Sequence, residues 1–240
     1  YWDYRGLNSD EVDISIERHA CDLRRLLEKE DIRDAFLVGW SMGVQVALSL
    51  FQRDTSSIQG LILLNGAGGG AIREVLNRPN WFWIEPLCQR IALGGRFWQR
   101  LGPFLARSQR WKSPFTEFCV KMKWLGTELE RSEFHALLCQ WLDVDLRRIS
   151  AQIVVLGNHS TDAFIHSIDV KALVVMGNRD PLVSNRLTRK LAQSLPNSTL
   201  RCLVGSSHFT LIEYPQTLYH LMERWMTVQR DVREKVSPDL

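Results

Sequence analysis

No apolar run in the 240 residues approaches the roughly 18 that a membrane-spanning helix needs, so no such span is signalled. Cysteine is scarce and scattered. Cys21, Cys88, Cys119, Cys139 and Cys202 form no C-x-x-C pair and are odd in number, which signals neither a zinc site nor a disulfide framework. Reduced, mostly buried thiols are expected instead. An excess of one charge is also missing. Thirty basic and 27 acidic residues leave +3, so the whole-chain charge gives no reason to expect a nucleic-acid partner. No internal repeat, low-complexity segment or export signal is visible either, and the cytoplasm is the expected compartment. What is present is ordinary for a globular protein: 45% apolar and 24% charged residues, in a length that suits one substantial domain.

The order of patterns along the chain points to an α/β protein. Residues 14–30 place Ile16, Ala20, Leu23 and Leu27 at helical spacing. Residues 34–39 form a short apolar run of the kind buried on both faces of a parallel sheet. Helical spacing returns over 44–52, and 58–64 is a second strand, closed by Asn65-Gly66. The alternation then stops. Residues 66–168 hold six of the nine tryptophans, with no good strand except one expected at 153–156. It resumes with a strand at 170–176, a helix at 187–195, a strand at 199–204 and a closing helix from Pro215. Strands alternating with helices predict a parallel sheet interrupted by a helical insertion.

The first strand runs into Gly39-Trp40-Ser41-Met42-Gly43, which opens a helix. This is G-x-S-x-G in the strand–turn–helix setting that gives it chemical meaning. Chance alone gives roughly 0.1 such matches in a chain of this length. A serine hydroxyl is a poor nucleophile at neutral pH and needs a base, which in turn needs an orienting acid. Both follow in the required order, each just past a strand. Asp180 lies in Gly177-Asn-Arg-Asp-Pro181 and His208 in Gly205-Ser-Ser-His-Phe209. Asp162 and Asp169 precede a strand and are poor substitutes. Asn65 occupies the other acid position and cannot supply a charge. His19, His135, His159, His166 and His220 read as surface residues.

These segments resemble the α/β-hydrolase superfamily from Tyr1 to about Thr227. The elbow at 39–43, the acid turn at 177–180 and the histidine loop at 207–209 carry the likeness. The resemblance implies an α/β-hydrolase fold, a mostly parallel sheet with helices on both faces. It divides the chain into a core segment 1–65 with the elbow, a helical cap 66–168, and a core segment 169–240 with the acid and histidine. It also implies a Ser41–His208–Asp180 set, an oxyanion donor in the backbone N–H of Met42, and a substrate contact at Trp40. No cofactor or metal is implied. Tyr4-Arg5-Gly6 looks like the segment after the fourth strand of similar proteins. The first three strands, and the H-G type loop that supplies the second oxyanion donor, have no counterpart before Ser41. The expectation is an N-terminally truncated hydrolase whose 34–39 strand has an open edge.

The implied activity is cleavage of a small-molecule carboxylic ester with a hydrophobic acyl group. Three alternatives share the same residues: C–C bond hydrolysis, a perhydrolase or haloperoxidase-like reaction, and a binding module that keeps the fold without catalysis. The segment 86–125 adds a further choice. Eight basic residues stand there against Glu117 alone, interleaved with seven aromatics from Phe97 to Trp124. The cap either rests on an anionic membrane through these residues or packs its aromatics inward to line an acyl pocket.

Overall fold

The computed structural model describes residues 4, 13–52, 57–76, 84–108, 110–126 and 128–236. Of the Tyr4-Arg5-Gly6 segment, Arg5 and Gly6 lie outside them. Helix α1 (Ile16–Lys29) starts where the Ser15 side chain accepts the Arg18 N–H, and it buries Ile16, His19, Ala20 and Leu23 on one face. Strand β1 (Ala35–Trp40), helix α2 (Met42–Leu50) and strand β2 (Ile58–Leu64) form the first crossover. Among its described residues the insertion forms helices: α3 (Ala71–Leu76), α4 (Ile84–Ala92), α5 (Arg96–Arg107), α6 (Lys112–Lys121), α7 (Arg131–Asp143) and α8 (Leu146–Asn158). Strand β3 (Lys171–Gly177), helix α9 (Asn185–Ser194), strand β4 (Ser198–Leu203) and helices α10 (Thr210–Glu213) and α11 (Pro215–Val236) complete the chain.

The four strands form one parallel sheet in the order β1-β2-β3-β4. Side chains alternate across it, as a two-residue period demands. Leu61, Leu63, Ala172 and Val174 join residues of α1, α2 and α9 in the largest core cluster, while Ile62, Leu64, Leu173 and Val175 meet Leu218 and Trp225 of α11 on the opposite face. Both faces are therefore covered at the centre, which is why β2 and β3 read as continuous apolar runs. Among the described residues β1 has no strand on its other side, and Val38 is 46% exposed.

Two expectations are corrected. Residues 153–156 are helix, not strand. An apolar run of four cannot separate the two by itself. Here Asp145 caps α8 by accepting the Arg147 N–H, and Ile149, Ile153 and Leu156 then fall on one helical face. His19 and His159 are not surface residues. His19 is fully buried beside the Tyr4 ring, with its Nε2 3.3 Å from Gln152 of α8. The His159 ring bonds Gln45 and Ser49 of α2. Burial holds the His159 imidazole below the usual histidine range, although the Glu17 carboxylate draws it the other way. These two histidines fasten the insertion to the sheet layer.

The sheet order generates a direct comparison. Leu63→Ala, in the fully buried centre of β2, is expected to lose about 2–5 kcal/mol. Val38→Thr on β1 should change stability by less than about 0.5 kcal/mol. Urea unfolding of both variants measures this, and equal losses would contradict the burial of Leu63 at the centre of the sheet and the exposure of Val38 on β1.

Candidate active site

The strand register sets the site. Trp40 pairs with Leu64, Leu64 with Val175, and Gly177 with Leu203, so the carboxyl ends of all four strands reach one rim of the sheet. The residues that follow them are then neighbours in space: Ser41 after β1, Asn65 after β2, Asp180 after β3 and His208 after β4. Ligand sites of open parallel sheets lie along such a rim.

Ser41 has φ 55° and ψ −116°, a conformation a non-glycine residue holds only where its surroundings enforce it. The enforcement is visible at Gly39, where an added Cβ would stand 2.5 Å from the Gly43 carbonyl oxygen. Only a bare backbone lets the strand and the following helix pass this closely. The turn lifts the Ser41 hydroxyl off the rim and leaves the N–H of Met42 in the first turn of α2, where helix amides have no intrahelical acceptor.

The three residues expected to act together are in contact. His208 Nε2 lies 2.9 Å from Ser41 Oγ, and His208 Nδ1 lies 2.9 Å from Asp180 Oδ2. An ionised carboxylate only accepts, so Nδ1 carries the proton and Nε2 is left to accept from the serine. Asp180 is held on both oxygens. Its Oδ1 accepts the N–H groups of Leu182 and Val183, both at 2.8 Å, and its Oδ2 accepts Asn65 Nδ2 at 3.2 Å. The His208 and Asp180 side chains are each only 3% exposed. Trp40, expected to touch substrate, lies in the cavity wall beside Ser41 and also donates its indole N–H to the His208 carbonyl at 3.0 Å.

Two supporting residues escape a sequence reading. Asn65 cannot carry the charge, but its amide donates to Asp180 and to the Ser207 carbonyl at 3.0 Å, bridging the acid turn and the histidine loop. Glu213 is 4% exposed, and its carboxylate accepts from Ser206 Oγ, from the N–H and hydroxyl of Ser207, and from the Gly126 N–H of the insertion. One buried carboxyl group therefore fixes the residue before His208 and ties it to the loop between α6 and α7. The residue after His208, Phe209, packs into the insertion against Phe134. The sequence offers a weak signal, a glutamate five places after the histidine. Its partner Gly126 lies 87 residues away, beyond any local pattern.

A cavity of about 380 Å³ opens over Ser41 and His208. Beside it lies a larger one of about 730 Å³, walled by α5, α6, α7 and α8 and apolar except for Tyr4 and Gln152. Tyr4, Met42, Trp141, Ile153 and Leu156 line both, so the two adjoin next to the serine. Burial pushes the Tyr4 phenol up to about 12, which keeps it neutral in this wall. Among the described residues no group of three or more His, Cys, Asp or Glu side chains is placed to hold a metal ion. The arrangement can activate a hydroxyl next to an apolar space.

The sequence matches the family described as alpha/beta hydrolase fold over residues 3–215. It is 27% identical over 193 residues to the alpha/beta hydrolase domain-containing protein VTE7 of Arabidopsis thaliana, covering 79% of this chain and 52% of that protein. The chain thus spans about half the length of that relative. Solved structures similar to it include a thermophilic esterase from Thermogutta terrifontis, with a TM-score of 0.68, 19% identity, and coverage of 95% of this chain and 78% of that one. The esterase EaEST from Exiguobacterium antarcticum gives 0.67 and 14%, covering 94% and 80%.

Glu213→Gln keeps the shape but puts an NH₂ group against N–H donors. It is expected to lower stability by about 1–3 kcal/mol in urea unfolding. An unchanged midpoint would mean that the four hydrogen bonds contribute nothing net.

Proposed function

The chain belongs to the alpha/beta hydrolase fold family, and we propose that it is a serine hydrolase cleaving a carboxylic ester with a hydrophobic acyl group. One observation carries the reading: a hydrogen-bonded line runs from Ser41 through His208 to Asp180, in the wall of an apolar cavity. The esterases among its structural relatives are consistent with an ester as substrate.

In the proposed reaction Ser41 Oγ attacks the ester carbonyl carbon while His208 Nε2 takes its proton. The imidazolium so formed is stabilised by Asp180, whose oxygens are held in place by four donors. The N–H of Met42 donates to the carbonyl oxygen as it becomes an oxyanion. Collapse of the tetrahedral species breaks the bond to the leaving alcohol, which receives the proton from His208. A water molecule, deprotonated by the same nitrogen, attacks the acyl-enzyme on Ser41 and releases the acid. The strained turn holds the serine near its attack position before substrate arrives, so little ordering remains for the reaction step.

The larger cavity is the proposed acyl site. It adjoins the serine on the side of Met42 and Tyr4, while His208 lines only the smaller one. The group nearest His208 is the leaving group it protonates, which puts the acyl chain on the opposite side. Residues 66–168 then act as a cap whose inner aromatics, Trp111 and Trp141, exclude water from the chain.

Hydrolysis of p-nitrophenyl esters of increasing acyl length tests this. Each added methylene should raise kcat/KM about 4-fold until the cavity is filled. Ser41→Ala should abolish turnover, and Asp180→Asn should lower kcat about 10⁴-fold. A flat length dependence would remove the acyl site. A folded protein that turns over no ester would remove the esterase reading and bring C–C bond substrates forward.

A further inference from the structure

Among the described residues the large apolar side chains of the insertion include an inward and an outward set. Trp111, Trp124 and Phe134 pack in the cluster that also receives Phe209 and Trp40. Others face water. Leu93 is 90% exposed, Phe97 66% and Phe104 69%, which with Val204 are the most exposed large apolar side chains among the described residues. They belong to α5 and the turn before it. Within α5 the positions 97, 100, 104 and 107 follow the 3-4-3 spacing of one helical face. That face presents Phe97 and Phe104 with Arg100 and Arg107 beside them, and Arg96 at its edge, all exposed. The opposite face of the same helix packs on α7 and α8, and Leu105 lines the larger cavity. Helix α6 and the residue after it carry a second row of this kind, Phe118 and Met122 at 50% and 49% exposure beside Lys121.

Exposed aromatics cost free energy in water, and a row of them on one helix face marks a surface that is covered in use. The charge beside the row indicates what covers it. Between Pro86 and Leu125 eight basic residues face Glu117 alone, while the whole chain carries only +3, so the rest of the protein is net acidic. A positive stripe with aromatic residues, on a protein otherwise slightly negative, is complementary to an anionic lipid surface. Phenylalanine enters the acyl boundary while arginine pairs with headgroup phosphates. A second copy of the chain would bring one basic face against another, which the charges oppose. Among the described residues no helix is long and apolar enough to cross a membrane, so the contact drawn from them is peripheral.

We propose that the face of α5 formed by Phe97, Arg100, Phe104 and Arg107, together with Leu93 in the turn before it, docks on the surface of an anionic lipid bilayer. Docking places the larger cavity, one helix thickness away, next to the acyl chains of the bilayer. This second statement rests on the esterase reading above, whereas docking itself does not. The sequence alone leaves two arrangements open, aromatics turned inward or aromatics on a membrane. The structure divides them residue by residue, and Phe97 and Phe104 face outward on the same helical face as Arg100 and Arg107.

The test is flotation of the full chain with vesicles of phosphatidylcholine containing phosphatidylserine, against vesicles of phosphatidylcholine alone, at low salt. Binding to the anionic vesicles only, weakened as ionic strength rises, is expected. Arg100→Gln with Arg107→Gln should weaken it roughly 30-fold, and Phe97→Ser with Phe104→Ser at least about 10-fold. Neither pair lines either of the two cavities beside Ser41, so turnover of a short soluble ester should be unchanged in both. Failure to bind anionic vesicles at low salt would overturn the proposal. So would equal loss from the control pair Arg201→Gln with Arg224→Gln. Self-association abolished by the Phe97/Phe104 pair, without vesicle binding, would overturn it in favour of a second copy. If the wild type binds vesicles yet hydrolyses no ester, the docking face stands and the esterase reading falls.

Discussion

The parallel ladder from β1 to β4 keeps a register that brings Trp40, Leu64, Val175 and Leu203 to one rim, and every interaction near Ser41 presupposes it. A one-residue slip in any pair would exchange the two faces of that strand and would also shift its following loop by about 3.3 Å along the sheet. The hydrogen bonds of 2.9 Å that join His208 to Ser41 and Asp180 do not tolerate such a shift. The apolar alternation of β2 and β3 is thus a positional device as well as a source of stability. Burial of both faces locks the register, and the register aligns Ser41, Asn65, Asp180 and His208.

Fixing the rim is not enough for His208, because β4 ends at Leu203, well before it. That span is held by polar contacts. Glu213 binds Ser206 and Ser207, Asn65 binds the Ser207 carbonyl, and the indole of Trp40 binds the His208 carbonyl. A buried carboxylate is costly unless its lone pairs are occupied, and Glu213 meets that condition with four donors. One of them, the Gly126 N–H, comes from the insertion. The backbone at Gly126 approaches so closely that a Cβ there would lie 2.8 Å from the Glu213 carboxyl carbon. The insertion and the histidine loop are consequently one packed unit, with the insertion's inner face against the cavities and some of its outer face left apolar and basic.

Local chemistry is legible in the sequence wherever it coincides with a strand end. The G-x-S-x-G turn, Asp180 and His208 each follow a strand in the sequence, and their order along the chain is sufficient to associate them. The core strands are legible for the same reason, since 58–64 and 171–176 are nearly uninterrupted apolar runs. Residues 153–156 are not, because a short apolar run fits either period until its neighbours are known. The Asp145 cap and the helical row Ile149, Ile153, Leu156 decide for helix. His19 and His159 pass for surface residues in the sequence because nothing in a single chain of letters shows which helix will cover a given face.

What the sequence determined by itself was the sheet's crossover pattern and the identity of the three residues brought together at its rim, because each depends on periodicity or on a turn of fixed shape. Only the tertiary structure decided the supporting contacts. Asn65 acquires its role from Asp180, 115 residues away on the loop after a neighbouring strand, and Glu213 from a loop 87 residues away. The division of the insertion's aromatics into an inner and an outer set has the same origin. Helical spacing shows that Phe97 and Phe104 share a face, but packing of α5 on α7 and α8 determines that this face is the one left to solvent.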